Sequence, residues 1–245
     1  MDAVILAAGL GTRLRPLTLE RPKPMLIIAG KPIIEHSIKM LPPQIDRVVL
    51  VVNYLAEQIE QHVGQSFAGR SITYVHQEEL GGSGAALSAA QYALRPGQKF
   101  LVLMGDDLYS GEDLQEMVRH TNAILVKEVA GPGRFGTVEL DATGMVSAIR
   151  EAGDGSPLPP YLINCGAYTL DHQYFLLPAR LTPKREVGLP QTMTQLAHLS
   201  ASKGGPKRIT AVRAKEWNSI GTPEEFALVK ALPRFSEHAP KSIRP

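Results

Sequence analysis

Four cations stand close together near the start of the chain: Arg13, Arg15, Arg21 and Lys23. The first two fall in the glycine-rich stretch LAAGLGTRLRPLT (6–18), and Lys23 is bracketed by Pro22 and Pro24 in ERPKP (20–24). Backbone N–H groups exposed at a glycine turn bind anionic oxygens, and an arginine fork grips a phosphate bidentately. Prolines on both sides stiffen the backbone beneath one cation, which a solvent-facing lysine would not need. Arg13 and Lys23 therefore read as a phosphate cradle, and Arg15 and Arg21 as solvated surface charge. The turn is not the dinucleotide fingerprint, because Leu14 stands where the third glycine should be, and no Gly-Lys-Ser/Thr makes it a P-loop. A second stretch, MGDD (104–107), ends on two acids. An aspartate at the tip of a buried strand, facing such a cradle, suits a magnesium ion, which takes one or two carboxylates plus phosphate oxygens and waters. Asp106 is the expected ligand. Asp107 reads as a helix cap or surface group.

These residues can meet only if the strands that end in them lie side by side. AVILAA (3–8), RVVLVVN (47–53), SITYVHQ (71–77) and KFLVLMGDD (99–107) read as strands. Helices are expected at KPIIEHSIKML (31–41), YLAEQIEQHVG (54–64) and GSGAALSAAQYAL (82–94). That alternation predicts an α/β fold, a mostly parallel mixed sheet with helices on both faces. Ligands of such sheets bind beyond the carboxyl ends of the strands, which collects the glycine turns, the cations, Gln77 and the paired acids on one rim. After about residue 110 the texture changes. EDLQEMVRHT (112–121) is a helix, followed by strands at 122–129, 134–141, 144–151 and 161–170 joined by Gly/Pro turns. A helix within 186–204, a strand at 208–214 and a capped helix at 222–232 complete the chain. The expected organisation is one domain over 1–232 with two lobes, 1–110 and 111–232. A loose proline-rich tail follows at 233–245.

The 245 residues are enough for one large domain with a real core. Lysine and arginine total 26 against 24 acids, a net charge of +2, so no general attraction to nucleic acid or membrane follows. Cys165 is the lone cysteine, which excludes an internal disulfide and a cysteine-based metal cluster and fits a reducing cytoplasm. MDAVILAAGL has no basic start and reads as a strand, not a signal peptide. The seven histidines are scattered, and none is assigned to metal.

LAAGLGTRLRPLT, RPKPML, QEELGGSGAAL and MGDD, in this order and spacing, closely resemble the sugar-1-phosphate nucleotidylyltransferases, or NDP-sugar pyrophosphorylases. The resemblance covers the first 110 residues almost continuously. It implies a Rossmann-like nucleotidyltransferase fold and a magnesium-dependent reaction joining a nucleoside triphosphate to a sugar 1-phosphate, with pyrophosphate released. It places Leu6, Ala8, Gly9, Gly11 and Thr12 along the nucleoside and phosphate turn. Arg13 would meet the triphosphate and Lys23 the α-phosphate, with Asp106 holding Mg2+. Gln77 would read the base above the Gly82-Ser83 turn. A glutamine amide pairs with N3–H and O4 of uracil or thymine and can flip to suit cytosine, while a purine fits less well; UTP or dTTP is favoured. In the second half, RFGTVELDATGMVSAIRE and INCGAY resemble the sugar side and imply Gly136, Glu151 and Asn164 as sugar contacts. Cys165 would be a small buried residue there, not a nucleophile.

Two positions depart from the family pattern. Ala152 stands where a lysine usually binds the sugar phosphate. In EWNSIGTPEE, Ser219 replaces the acid that is the second metal ligand, leaving a weaker, neutral hydroxyl. Three alternatives stay open: transfer to a non-sugar acceptor such as phosphocholine, a GTP:mannose-1-phosphate type, or a non-catalytic nucleotide-sugar-binding subunit. A homo-oligomer is compatible with the sequence. No appended acyltransferase-type repeat domain is expected after the last helix.

Overall fold

The computed structural model describes residues 1–150, 159–202 and 209–233. Glu151 and all but the first residue of the expected tail lie outside them. The main sheet runs in the order Val146–Arg150, Thr137–Leu140, Tyr161–Leu170, Phe100–Met104, Asp2–Leu6, Arg47–Val52, Arg70–His76, Ser66–Phe67. Asp2–Leu6 pairs in parallel with both Arg47–Val52 and Phe100–Met104, and Arg47–Val52 with Arg70–His76. Tyr161–Leu170 then joins antiparallel to Phe100–Met104 and also to Ala123–Val129, which pairs in parallel with Thr210–Arg213. Apart from the short edge strand Ser66–Phe67, antiparallel to Arg70–His76, the sheet is thus parallel through the first half of the chain and mixed beyond it, as the α/β reading requires.

The unbroken apolar strands are explained by burial on both faces. Along the first strand Ala3 and Ile5 face one layer with Ile34, Ile38 and Ile59, whereas Val4 faces the other with Leu87, Leu189 and Met193. The helices supplying these layers are Ile33–Lys39 and Ala56–Val63 on one side, Ser83–Ala89 and Leu189–Ser202 on the other. A third cluster (Leu14, Leu26, Ile28, Ile33, Leu108, Ile220 and Val229) lies under the first loop. It ties that loop to the helix Pro223–Lys230, which Thr222 caps by accepting from the Glu225 amide at 3.3 Å. The segment 217–221 is thereby brought to the rim where the first loop and Asp106 already stand. Among the described residues, no helix is long and apolar enough to cross a membrane.

Candidate active site

The first strand ends at Leu6, two residues earlier than its apolar run suggested, and the chain turns over the rim of the sheet. Gly11 has φ +63°, and a Cβ there would meet the Thr18 methyl at 3.0 Å and Lys23 Cβ at 3.2 Å. The Thr18 hydroxyl donates to the Gly11 carbonyl at 2.8 Å and closes the loop. Pro22 caps a short 3-10 turn, Lys23–Met25, and the Lys23 side chain is buried with its ammonium paired to Asp106 Oδ2. The pairing follows from the sheet order. The strand ending at Met104 lies beside the first strand, and the Gly105 amide donates to the Leu6 carbonyl at 2.9 Å.

A cavity of about 390 Å³ opens here. Its walls include every residue named above for the nucleotide: Leu6, Ala8, Gly9, Gly11, Thr12, Arg13, Lys23, Gln77, Gly82 and Ser83, together with Asp106. Arg15 and Arg21 are exposed and outside it. Gln77 is buried, and its amide nitrogen has no partner among the described residues. A buried donor left open in a cavity wall suits an acceptor brought by a ligand. Gly82 has φ +92°, and a Cβ there would stand 2.7 Å from the Val187 carbonyl oxygen. That contact belongs to a hairpin at 181–187 held to this turn by main-chain hydrogen bonds: Val187 N–H donates to Gly81 O (2.7 Å) and Gly84 N–H to Val187 O (2.8 Å). The hairpin places Lys184 and Glu186 in the site, and no motif in the sequence announced either.

A second cavity, about 550 Å³, shares Arg13, Lys23, Gly82, Ser83, Asp106 and Gly221 with the first. Gly136, Asn164 and Ser219 line it, with Arg134, Trp217 and Lys184. Gly136 lies so close to the Arg150 carbonyl that a Cβ would come within 2.8 Å of its oxygen. The Asn164 amide is partly engaged already. Its nitrogen donates to the Tyr168 hydroxyl (2.7 Å) and its oxygen accepts from the Gly166 amide (2.9 Å). Ser219 Oγ accepts from Arg134 Nη2 at 2.8 Å. One acceptor position of the Ser219 hydroxyl is therefore already taken by a guanidinium.

Asp107 differs from its expectation as a cap or surface group. It is buried, with Oδ2 accepting from the Trp217 indole (3.1 Å) and Oδ1 from the Ile220 amide (3.3 Å). Burial, then the neighbouring Asp106 charge, pushes its carboxyl above the usual carboxylate range. Its two oxygens are thus committed to holding the 217–220 segment. Asp106, 37% exposed, keeps Oδ1 without a hydrogen bond among the described residues and is the carboxylate facing the shared wall. No group of three or more His, Cys, Asp or Glu placed to hold a metal exists among the described residues. A single carboxylate beside the glycine turn and Lys23 fits an ion such as magnesium, which can complete its shell from ligand oxygens and water. Cys165 is fully buried, and burial pushes its thiol up. It should resist a thiol-disulfide reagent at pH 8 until the chain is unfolded. Prompt labelling of the native protein would contradict that burial.

The nucleotidyl transferase family model matches residues 2–232. The bifunctional protein GlmU of Methanocaldococcus jannaschii is 35% identical over 225 residues, covering 91% of this chain and 52% of that protein. The UTP–glucose-1-phosphate uridylyltransferase AglF of Haloferax volcanii is 31% identical over 235 residues, covering 92% of this chain and 93% of AglF. The chain spans about half the length of the GlmU relatives it matches. A crystal structure of a UDP-glucose pyrophosphorylase complexed with UDP-glucose shares the fold, with a TM-score of 0.79 over 94% of this chain and 96% of that one, at 20% identity.

Proposed function

Because the chain belongs to the nucleotidyl transferase family, we propose that it joins a nucleoside triphosphate to a sugar 1-phosphate, giving an NDP-sugar and pyrophosphate. The observation that carries this reading is the shared wall. Two cavities meet at Lys23, Arg13 and Asp106, so a nucleotide in the smaller one would turn its phosphates toward an acceptor in the larger. In the reaction a phosphate oxygen of the acceptor forms a bond to the α-phosphorus. The α–β bridging bond breaks, and its electron pair leaves with pyrophosphate. No proton transfer is needed, so the protein's work is alignment and charge stabilisation.

Lys23 suits the second task. Its ammonium is held in place before substrate arrives, and charge gathering on the α-phosphate would find it already oriented. Arg13 would grip the outer phosphates. Asp106 would hold the magnesium ion, which as a Lewis acid neutralises phosphate charge when bound. Gln77 offers its open N–H to a pyrimidine carbonyl, which favours UTP or dTTP. Gly136 and Asn164 would meet sugar hydroxyls, Asn164 through the hydrogen-bonding capacity its internal partners leave. Glu151, which the resemblance adds to them, lies outside the described residues. A triphosphate substrate and a lone unpaired thiol fit a cytoplasmic enzyme.

The test is pyrophosphate release measured across five nucleoside triphosphates and a panel of acceptors that includes phosphocholine. The expected result is turnover with UTP or dTTP and a sugar 1-phosphate. Release only with phosphocholine would move the chain to the non-sugar branch. Tight UTP binding with no release under any pairing would refute the catalytic reading.

A further inference from the structure

The larger cavity holds a cation that is more firmly fixed than an ordinary surface arginine. Arg134, on the turn before the strand Thr137–Leu140, is gripped by Glu225 through Nε (3.2 Å to Oε1) and Nη2 (2.7 Å to Oε1, 2.6 Å to Oε2). Nη2 also donates to Ser219 Oγ at 2.8 Å. The guanidinium lies 4.4 Å over the Phe135 ring, which in turn stands edge-on to Trp217 at 5.1 Å. Glu225 is anchored itself, because it accepts from the Gly221 amide at 2.5 Å. The guanidinium packs into the space that Gly221 leaves by having no side chain, and a Cβ there would overlap it. Gly221 lines both cavities, so Arg134 stands at their seam, on the acceptor side. Its Nη1 has no hydrogen-bond partner among the described residues.

We propose that Arg134 is the anchor for the acceptor's phosphate. The proposal rests on the reading above that the larger cavity takes a phosphorylated acceptor. Lys184, also in that wall, makes no hydrogen bond or ion pair among the described residues and sits on a flexible stem. A guanidinium whose orientation is already set loses less freedom on binding an anion, and its open Nη1 keeps N–H donors for a phosphate oxygen. Glu225 is the clamp that sets it, with Ser219 and Phe135 fixing its plane. This arrangement gives a role to the hydroxyl at position 219, as a support for a cation.

The test is direct binding. With the smaller cavity saturated by a non-hydrolysable UTP analogue, glucose 1-phosphate and, separately, inorganic phosphate are titrated into the protein and its variants. Arg134→Gln is expected to weaken both about tenfold or more, while the affinity for the UTP analogue stays within about twofold. Arg134→Lys should recover part of the loss. Glu225→Gln keeps the guanidinium but loosens it, and should lose less than Arg134→Gln. In turnover, the effect should fall on the KM for the sugar phosphate far more than on kcat. Equal affinity for both anions in the wild-type protein and Arg134→Gln would overturn the proposal. So would equal losses in Arg134→Gln and Glu225→Gln accompanied by equal falls in Tm, which mark a merely structural ion pair. Wild-type binding of both anions at this site without any pyrophosphate release would sink the transfer reading and leave the Arg134 anchor standing.

Discussion

Lys23→Ala should lower the rate of pyrophosphate release roughly a hundred- to thousandfold, with folding largely intact. The size follows from what removal of one preorganised charge costs at comparable oxyanion sites, about 3–4 kcal/mol of barrier. The Lys23 side chain is buried and its ammonium is held by Asp106, so none of its orientation has to be found during the reaction. Folding should survive because the abandoned carboxylate is 37% exposed and can turn to water. The loss should fall mainly on kcat, since charge builds on the α-phosphate only as the bond to pyrophosphate breaks. The measurement is steady-state pyrophosphate release alongside a thermal melt. A variant that melts like the wild type and keeps full turnover would strip Lys23 of this role.

Trp217→Ala should cost about 3–5 kcal/mol of stability, the range for truncating a large buried ring. Domains of this kind are stable by only about 5–15 kcal/mol, so the loss would be severe. The indole is 6% exposed, meets Phe135 edge-on and gives its N–H to Asp107. Truncation removes the ring and leaves Asp107 with the Ile220 amide as its remaining donor of the pair. Trp217→Phe restores an aromatic edge without the N–H and should recover more than half of the stability. The same change would loosen the segment carrying Ser219 and Gly221, so the KM for the acceptor should rise in the Phe variant. Urea unfolding followed by far-UV circular dichroism reads the first effect. A loss under about 1 kcal/mol for Trp217→Ala would mean that the ring is not what supports this wall.

The lining of the smaller cavity was legible in the sequence for a topological reason. Successive parallel strands deliver their carboxyl ends to one rim, so loops distant along the chain can be brought together on paper once the strands are recognised. Gly11, Lys23, Gln77 and Asp106 each follow such a strand or belong to the loop after one. The acceptor side obeys no such rule. Its strands are largely antiparallel, and the hairpin at 181–187 reaches the site through main-chain hydrogen bonds to Gly81 and Gly84, which carry no side-chain signature. Asp106 and Asp107 show the same limit at the scale of one residue. Neighbouring acids at a strand tip look alike until Trp217, 110 positions further on, supplies the indole that claims the second. Arg134 stands in a stretch read as a sugar-side hairpin, yet its partner Glu225 lies 91 residues away, and nothing local to either marks the pair.

Trp217 is the one tryptophan in the chain, and it lines the larger cavity and not the smaller one. The protein therefore carries its own optical probe at one of two adjoining compartments. Indole emission should report what enters the larger compartment without any label, and the order in which two substrates arrive becomes readable from the native fluorescence alone.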